Sequence, residues 1–111
     1  MEKVNENEKE YRFGDKGPKY LFRGPRIEWG IILLKPNDTL GAHFHNEIEE
    51  TFYFTEGEPQ MVINGFSHRV KIGDAFRIEP KERHDIINDT PHSVKTIFIK
   101  VPYSPEDKVS C

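Results

Sequence analysis

The chain has 111 residues, with 16 Lys and Arg against 19 Asp and Glu and a formal net charge of -3. That length suits one domain around a single core and excludes two independent cores. Without a basic excess there is no electrostatic footprint for nucleic acid, which is not expected as a partner.

No apolar run approaches the ~18 residues of a membrane span. The opening MEKVNENEKE has neither an apolar signal core nor a small-residue cleavage site. The expectation is a soluble, cytoplasmic protein with no membrane partner. Cys111, the only cysteine, excludes an intrachain disulfide and leaves no thiol inside a structured motif.

Hydrophobic residues make up only 35% of the chain, and they are rich in Phe, Ile, Val and Tyr, types that suit a pleated, half-buried surface. Residues 1–18 are polar and charged and are expected to form a mobile tail. From Tyr20 onward come the short runs KYLF, RIEWGIILL, TLGAHFHNE and ETFYFTEGE, separated by Gly, Pro and Asn-Asp. In QMVINGFSHRV, Asn64-Gly65 between alternating segments fits a type I′ hairpin turn. DAFRIEP, HDIIND and VKTIFIKV follow, and residues 104–111 are expected to be a second polar tail.

About eight or nine short strands at this spacing predict an all-β sandwich or barrel. The alternation favours a small antiparallel barrel over residues 19–103 with apolar inward faces.

Strand side chains alternate, so His43 and His45 project to one side and Phe44 to the other. Imidazole is a common ligand for Zn, Fe, Ni, Mn and Cu, and a nearby carboxylate would complete a half-shell open to substrate. Glu49 and Glu50 both follow closely enough to supply it. His68, after the hairpin turn, and His92, after Pro91, read as ordinary surface histidines.

These residues carry a resemblance to the cupin family. Its first motif runs glycine, five residues, His-x-His, three or four residues, Glu, six residues, Gly. NDTLGAHFHNEIEETFYFTEG puts His43, His45, Glu50 and Gly57 on those positions, with Asn37 in place of the opening glycine. The second motif runs glycine, five residues, Pro-x-Gly, two residues, His, three residues, Asn. GDAFRIEPKERHDIIN keeps Gly73, His84 and Asn88 in register, with Glu79 and Lys81 in place of the central proline and glycine.

The resemblance implies an antiparallel jelly-roll β-barrel in which His43, His45, Glu50 and His84 ligate one divalent transition metal per chain, whether Mn, Fe, Ni, Zn, Co or Cu. Asn88 would hold a strand end, and the six-residue run to Gly57 favours Glu50 over Glu49. Three histidines and a carboxylate inside an apolar barrel are costly unless they share a cation or a dense hydrogen-bond network.

Residues in phase with the ligands, Phe52 and Phe54 after Glu50 and Ile86 after His84, are expected to face the pocket. Trp29, Met61, Ile63, Phe76 and Ile78 are further wall candidates. Arg23, Arg26 and Arg77 are scattered cations, and Lys81 or Arg83 could sit near the barrel mouth.

The family offers dioxygenases, decarboxylases, isomerases and hydratases. The leading expectation is therefore a metal-dependent enzyme acting on a small molecule, with Glu49 and Glu28 as the nameable general bases. The alternative is a non-catalytic barrel that senses or stores a small ligand or metal. The chain has no room for a helix-turn-helix, which favours the enzyme. Exposed sheet edges at KYLFRG or TIFIKVP suggest a homodimer.

Overall fold

The structure is a computed structural model that describes residues 1–111. In chain order the strands are β1 (Gly17–Arg23), β2 (Glu28–Leu34), β3 (His43–Phe44), β4 (Glu49–Glu56), β5 (Gln60–Ile63), β6 (Phe66–Arg69), β7 (Ala75–Ile78), β8 (His84–Ile87), β9 (Val94–Val101) and β10 (Val109–Ser110). They form two five-stranded sheets, ordered β1-β2-β9-β4-β7 and β10-β3-β8-β5-β6. Every pairing is antiparallel. There is no α-helix; a single 3-10 turn covers Glu6–Glu8.

Alternation builds the core. On β4, Glu50, Phe52 and Phe54 are buried while Tyr53 is exposed. On β9, Val94, Thr96 and Phe98 point in, and on β8 His84 and Ile86 do. The apolar cluster between the sheets is Ile32, Leu34, Phe52, Phe54, Met61, Val70, Ile78, Ile86, Val94 and Phe98. Ile63 and Phe76 pack against it.

The turns follow the sequence closely. Asn64 and Gly65 have φ of 49° and 84°, the two positive values that a type I′ turn needs. Gly57 has φ 82°, and a Cβ there would lie 2.7 Å from the Ser93 carbonyl oxygen, so both conformation and space require glycine. Asn37 and Lys81, which stand where the family motifs have glycine, both adopt φ 71°. The turn at Lys81 therefore persists without glycine, and its N–H donates to the His45 carbonyl at 2.6 Å.

β1 carries a bulge between Tyr20 and Phe22. Tyr20 pairs with Gly30 before it, while Phe22 pairs with Trp29 and Arg23 with Glu28 after it. One extra residue reverses the facing. Phe22 and Trp29 pack together on the outer face with centroids 6.2 Å apart, and Arg23, itself exposed, lies on the cavity side and reaches buried Glu28. Trp29 is thus no wall of the interior.

Both terminal segments, read from composition as tails, pack on the barrel. β1 starts at Gly17, and Glu6 reaches buried Lys19 at 3.5 Å. At the other end, Val109 and Ser110 pair with Phe44 and His43. Backbone pairing and ion pairs do this, with little apolar area, so composition gave no sign of it. β9 lies at the centre of its sheet, which removes TIFIKVP as an edge; β1 is an edge strand.

Candidate metal centre

β3 and β8 pair through His43 and His84, whose rings lie 4.3 Å apart between centroids and are tilted by 59°. His45 follows β3 directly, and Glu50 enters from the facing sheet on β4. One ligand atom from each of His43, His45, Glu50 and His84 lies within 4.8 Å of the others, and all four residues are buried. Glu49, the alternative carboxylate, is on the opposite face of β4.

The hydrogen bonds of the imidazoles define what the centre can hold. Nδ1 of His43 meets the Gly41 carbonyl at 2.7 Å, Nδ1 of His84 meets the Glu82 carbonyl at 3.0 Å, and Nδ1 of His45 meets the Asp107 carbonyl. A carbonyl only accepts, so each Nδ1 carries the proton and donates. Each Nε2 of a neutral ring is then left with a lone pair. Yet Nε2 of His45 and of His84 each lie 3.2 Å from the same Glu50 oxygen, Oε1. Lone pairs facing a carboxylate repel unless a cation lies between them, either a proton on the rings or a metal ion shared by the cluster. Backbone carbonyls on the far nitrogens are the arrangement that fixes imidazoles for metal ligation.

Burial pushes His43 down to about 4, keeping its ring neutral over the ordinary pH range. Burial pushes Glu50 upward; the contacts with His45 and His84, which draw a carboxyl down only with a proton or another cation on the Nε2 side, and the Lys100 charge outweigh it, so the carboxyl stands at about 2. Neutral rings with an ionised carboxylate are the ligand form that a divalent metal needs.

Three of the four, His43, His45 and Glu50, line a cavity of about 210 Å³. Its apolar side is Pro18, Ile32, Leu40, Ile48 and Phe98, and Tyr20 meets Phe98 edge-on at 5.4 Å. Phe52, Phe54 and Ile86 point inward as their phase implies, but they lie fully buried in the apolar cluster and do not line this cavity. Met61 and Ile78 belong to the same cluster. Glu50 ends its inward row at the cavity, so the next residues in phase lie behind it.

Polar residues supply the rest of the wall: Arg12, Arg23, Glu28, Lys100, Ser104, Asp107 and Lys108. Glu28 is buried between Arg23, at 2.6 Å, and Lys100, at 3.8 Å. Asp107 accepts backbone N–H from Asn46, Glu47 and Ile48 at 2.8, 2.8 and 3.1 Å, so it anchors the loop between β3 and β4 while its own carbonyl holds His45. Burial pushes the Asp107 carboxyl up, and those three N–H groups pull it below the ordinary range.

Sequence reasoning missed Lys100, Arg12, Asp107 and Lys108. Lys100 could have been found, because it is in phase with Thr96 and Phe98 on β9. The others sit in segments with no periodicity to read. Asn88 is fully buried, and its amide donates to the Leu34 and His92 carbonyls at 3.3 and 2.8 Å, which ties strand ends together. His68 lies exposed on β6 and His92 in an exposed loop.

The family model for the cupin domain matches residues 30–100. Among curated proteins, Protein SchB of Streptomyces halstedii is 24% identical over 76 residues, which cover 68% of this chain. The match spans 55% of that relative's length. A conserved protein with a double-stranded β-helix domain from Klebsiella pneumoniae superimposes with a TM-score of 0.84 at 17% identity, over 100% of this chain and 97% of that one. An oxalate oxidase in complex with the substrate analogue glycolate superimposes with a TM-score of 0.68 at 20% identity, over 76% of this chain and 45% of the other. At these identities the superpositions speak for the fold alone. The two-sheet barrel, the register of both motifs and the family match over residues 30–100 make this chain a member of the cupin family.

Proposed function

We propose that the chain binds one divalent transition metal through His43, His45, Glu50 and His84, and that it is a metal-dependent enzyme acting on a small molecule in the adjoining cavity. The observation that carries this reading is the set of Nε2 lone pairs turned onto an ionised Glu50, with every Nδ1 committed to a carbonyl. Three imidazoles and one carboxylate suit Mn, Fe, Co, Ni, Cu or Zn and leave about two octahedral positions open. A bound metal would supply Lewis-acid polarisation of a substrate oxygen.

The chain's own residues constrain the chemistry. Glu28 and Asp107, the only carboxylates on the cavity wall besides Glu50, are already committed to Arg23 and Lys100 and to backbone N–H groups. Glu49 faces away. No free carboxylate serves as a general base, so reactions that need little proton abstraction by the protein fit best. The same observation favours, as a second reading, a barrel that binds its ligand without turning it over. We place the protein in the cytoplasm on the sequence reading; no helix is long and apolar enough to cross a membrane. We further propose a homodimer through edge strand β1 and the outer face around Tyr53, Ile99 and Val101, which are exposed. Light scattering should return twice the chain mass.

Water-proton relaxation on Mn²⁺-loaded protein tests the reading. A centre with open positions exchanges water and speeds relaxation above that of free Mn²⁺. Bound Mn²⁺ without enhancement would mean a closed, structural centre and would overturn the enzyme.

A further inference from the structure

The charges on the cavity wall do not balance. Four cations, Arg12, Arg23, Lys100 and Lys108, line the cavity beside three carboxylates, Glu28, Glu50 and Asp107. Each carboxylate is already engaged. Glu28 is shared by Arg23 and Lys100, Asp107 holds the 46–48 loop, and Glu50 belongs to the histidine cluster. Arg12 bonds the Tyr20 hydroxyl at 2.8 Å and has no carboxylate partner. The Lys108 ammonium makes neither an ion pair nor a hydrogen bond, and only its backbone N–H is engaged, on the Glu106 carbonyl. Lys108 and Arg12 are both exposed at the cavity rim, yet partial desolvation draws the Lys108 ammonium below the ordinary lysine range, and the like charges of Lys100 and Arg12 push it the same way.

Position adds to the count. A neighbouring cavity of about 370 Å³ shares Arg12, Pro18, Leu40 and Lys108 with the first, so the two cations without a carboxylate partner stand on the wall common to both. The histidine cluster lies on one side of them, and Leu40, Ile48 and Phe98 give the inner cavity its apolar flank. A cavity of about 210 Å³ has room for a small organic molecule.

We propose that the ligand of this cavity is a small organic acid, whose carboxylate is held by Arg12, Lys108 and the free side of Lys100 while its hydrocarbon part lies on Leu40, Ile48 and Phe98. This names the substrate class of the site in Proposed function and rests on that reading only for what the other end of the acid meets. The acid would supply the carboxylate that Arg12 and Lys108 lack within the protein.

The test is calorimetric titration of the full chain, metal-loaded and metal-free, at low salt. The probes are malonate and succinate beside their uncharged diamides. Metal content and thermal midpoint are measured on every sample. The expected result is that at least one acid binds at least tenfold tighter than its diamide. Lys108→Met should weaken that acid about tenfold with metal content and midpoint unchanged. Lys108→Arg should restore most of the loss, and Arg12→Met should repeat the weakening. Acids no tighter than amides, or a Lys108→Met protein that binds as the wild type does, would overturn the proposal. If the chain holds no metal, the reading in Proposed function falls by itself. Discrimination by Lys108 in that metal-free protein would still uphold the acid site, and its absence would overturn it.

Discussion

Three strands carry one inward row each, and the two ends of those rows are opposites. On β4 the row is Glu50, Phe52, Phe54; on β8 it is His84, Ile86, then Asn88; on β9 it is Lys100, Phe98, Thr96. Cross-strand register places Glu50 beside Lys100 and Phe52 beside Phe98. One end of the barrel interior is therefore a charged cavity and the rest a packed, mainly apolar plug in which Asn88 and Thr96 have their hydrogen bonds made, although both are built by the same alternation. Burying aromatic rings stabilises the fold, whereas burying Glu50, His84 and Glu28 works against it unless a cation joins them. Period-2 patterning tells which residues point in; it does not tell which end of the row will be dry.

The largest effect should come from the plug. Phe54→Ala removes a fully buried ring that meets Phe76 edge-on, and it should cost about 3–5 kcal/mol in urea unfolding. Metal content per folded molecule should not change. If it did, the two ends would not be independent.

The polar end should set the acid limit of the metal-free protein. The folded His43 value, about 4, is below its ordinary 6.5, so between these values the unfolded chain binds the extra proton and stability falls as pH falls. Thermal midpoints measured from pH 7 to 4 should therefore decline. His43→Gln should flatten the upper part of that decline, and an unchanged slope would contradict the burial of a neutral ring.

Glu50→Gln sharpens the comparison. A Gln amide in place of Oε1 can donate to both Nε2 lone pairs, turning a repulsive contact into two hydrogen bonds. The metal-free variant should gain about 1 kcal/mol and lose metal affinity. A loss of stability would mean that the rings are protonated and paired with Glu50.

The smallest effect belongs to a turn. Lys81 holds φ 71°, where glycine is unstrained, so Lys81→Gly should raise stability by up to about 1 kcal/mol in the same urea assay.

What the sequence disclosed follows from the same physics. Strand runs, the Asn64-Gly65 turn and the convergence of His43, His45, Glu50 and His84 were readable, because each depends on local periodicity or on motif spacing. Arg23 was obscured by the β1 bulge, which reverses the facing of every residue after it. Phe52, Phe54 and Ile86 had the right phase, but depth along a strand leaves no trace in an alternating pattern. Arg12, Asp107 and Lys108 were hidden altogether. They come from segments without apolar periodicity, and only the paired backbone of β10 and the Asp107 bonds to residues 46–48 bring the C-terminal pair to the cavity.

The most direct test of the account is metal content by plasma mass spectrometry, on untagged protein purified without added metal and on His84→Ala beside it. The account predicts about one transition metal per wild-type chain and none in the variant. A wild-type chain that arrives empty and takes up none of Mn²⁺, Fe²⁺, Ni²⁺ or Zn²⁺ would contradict it.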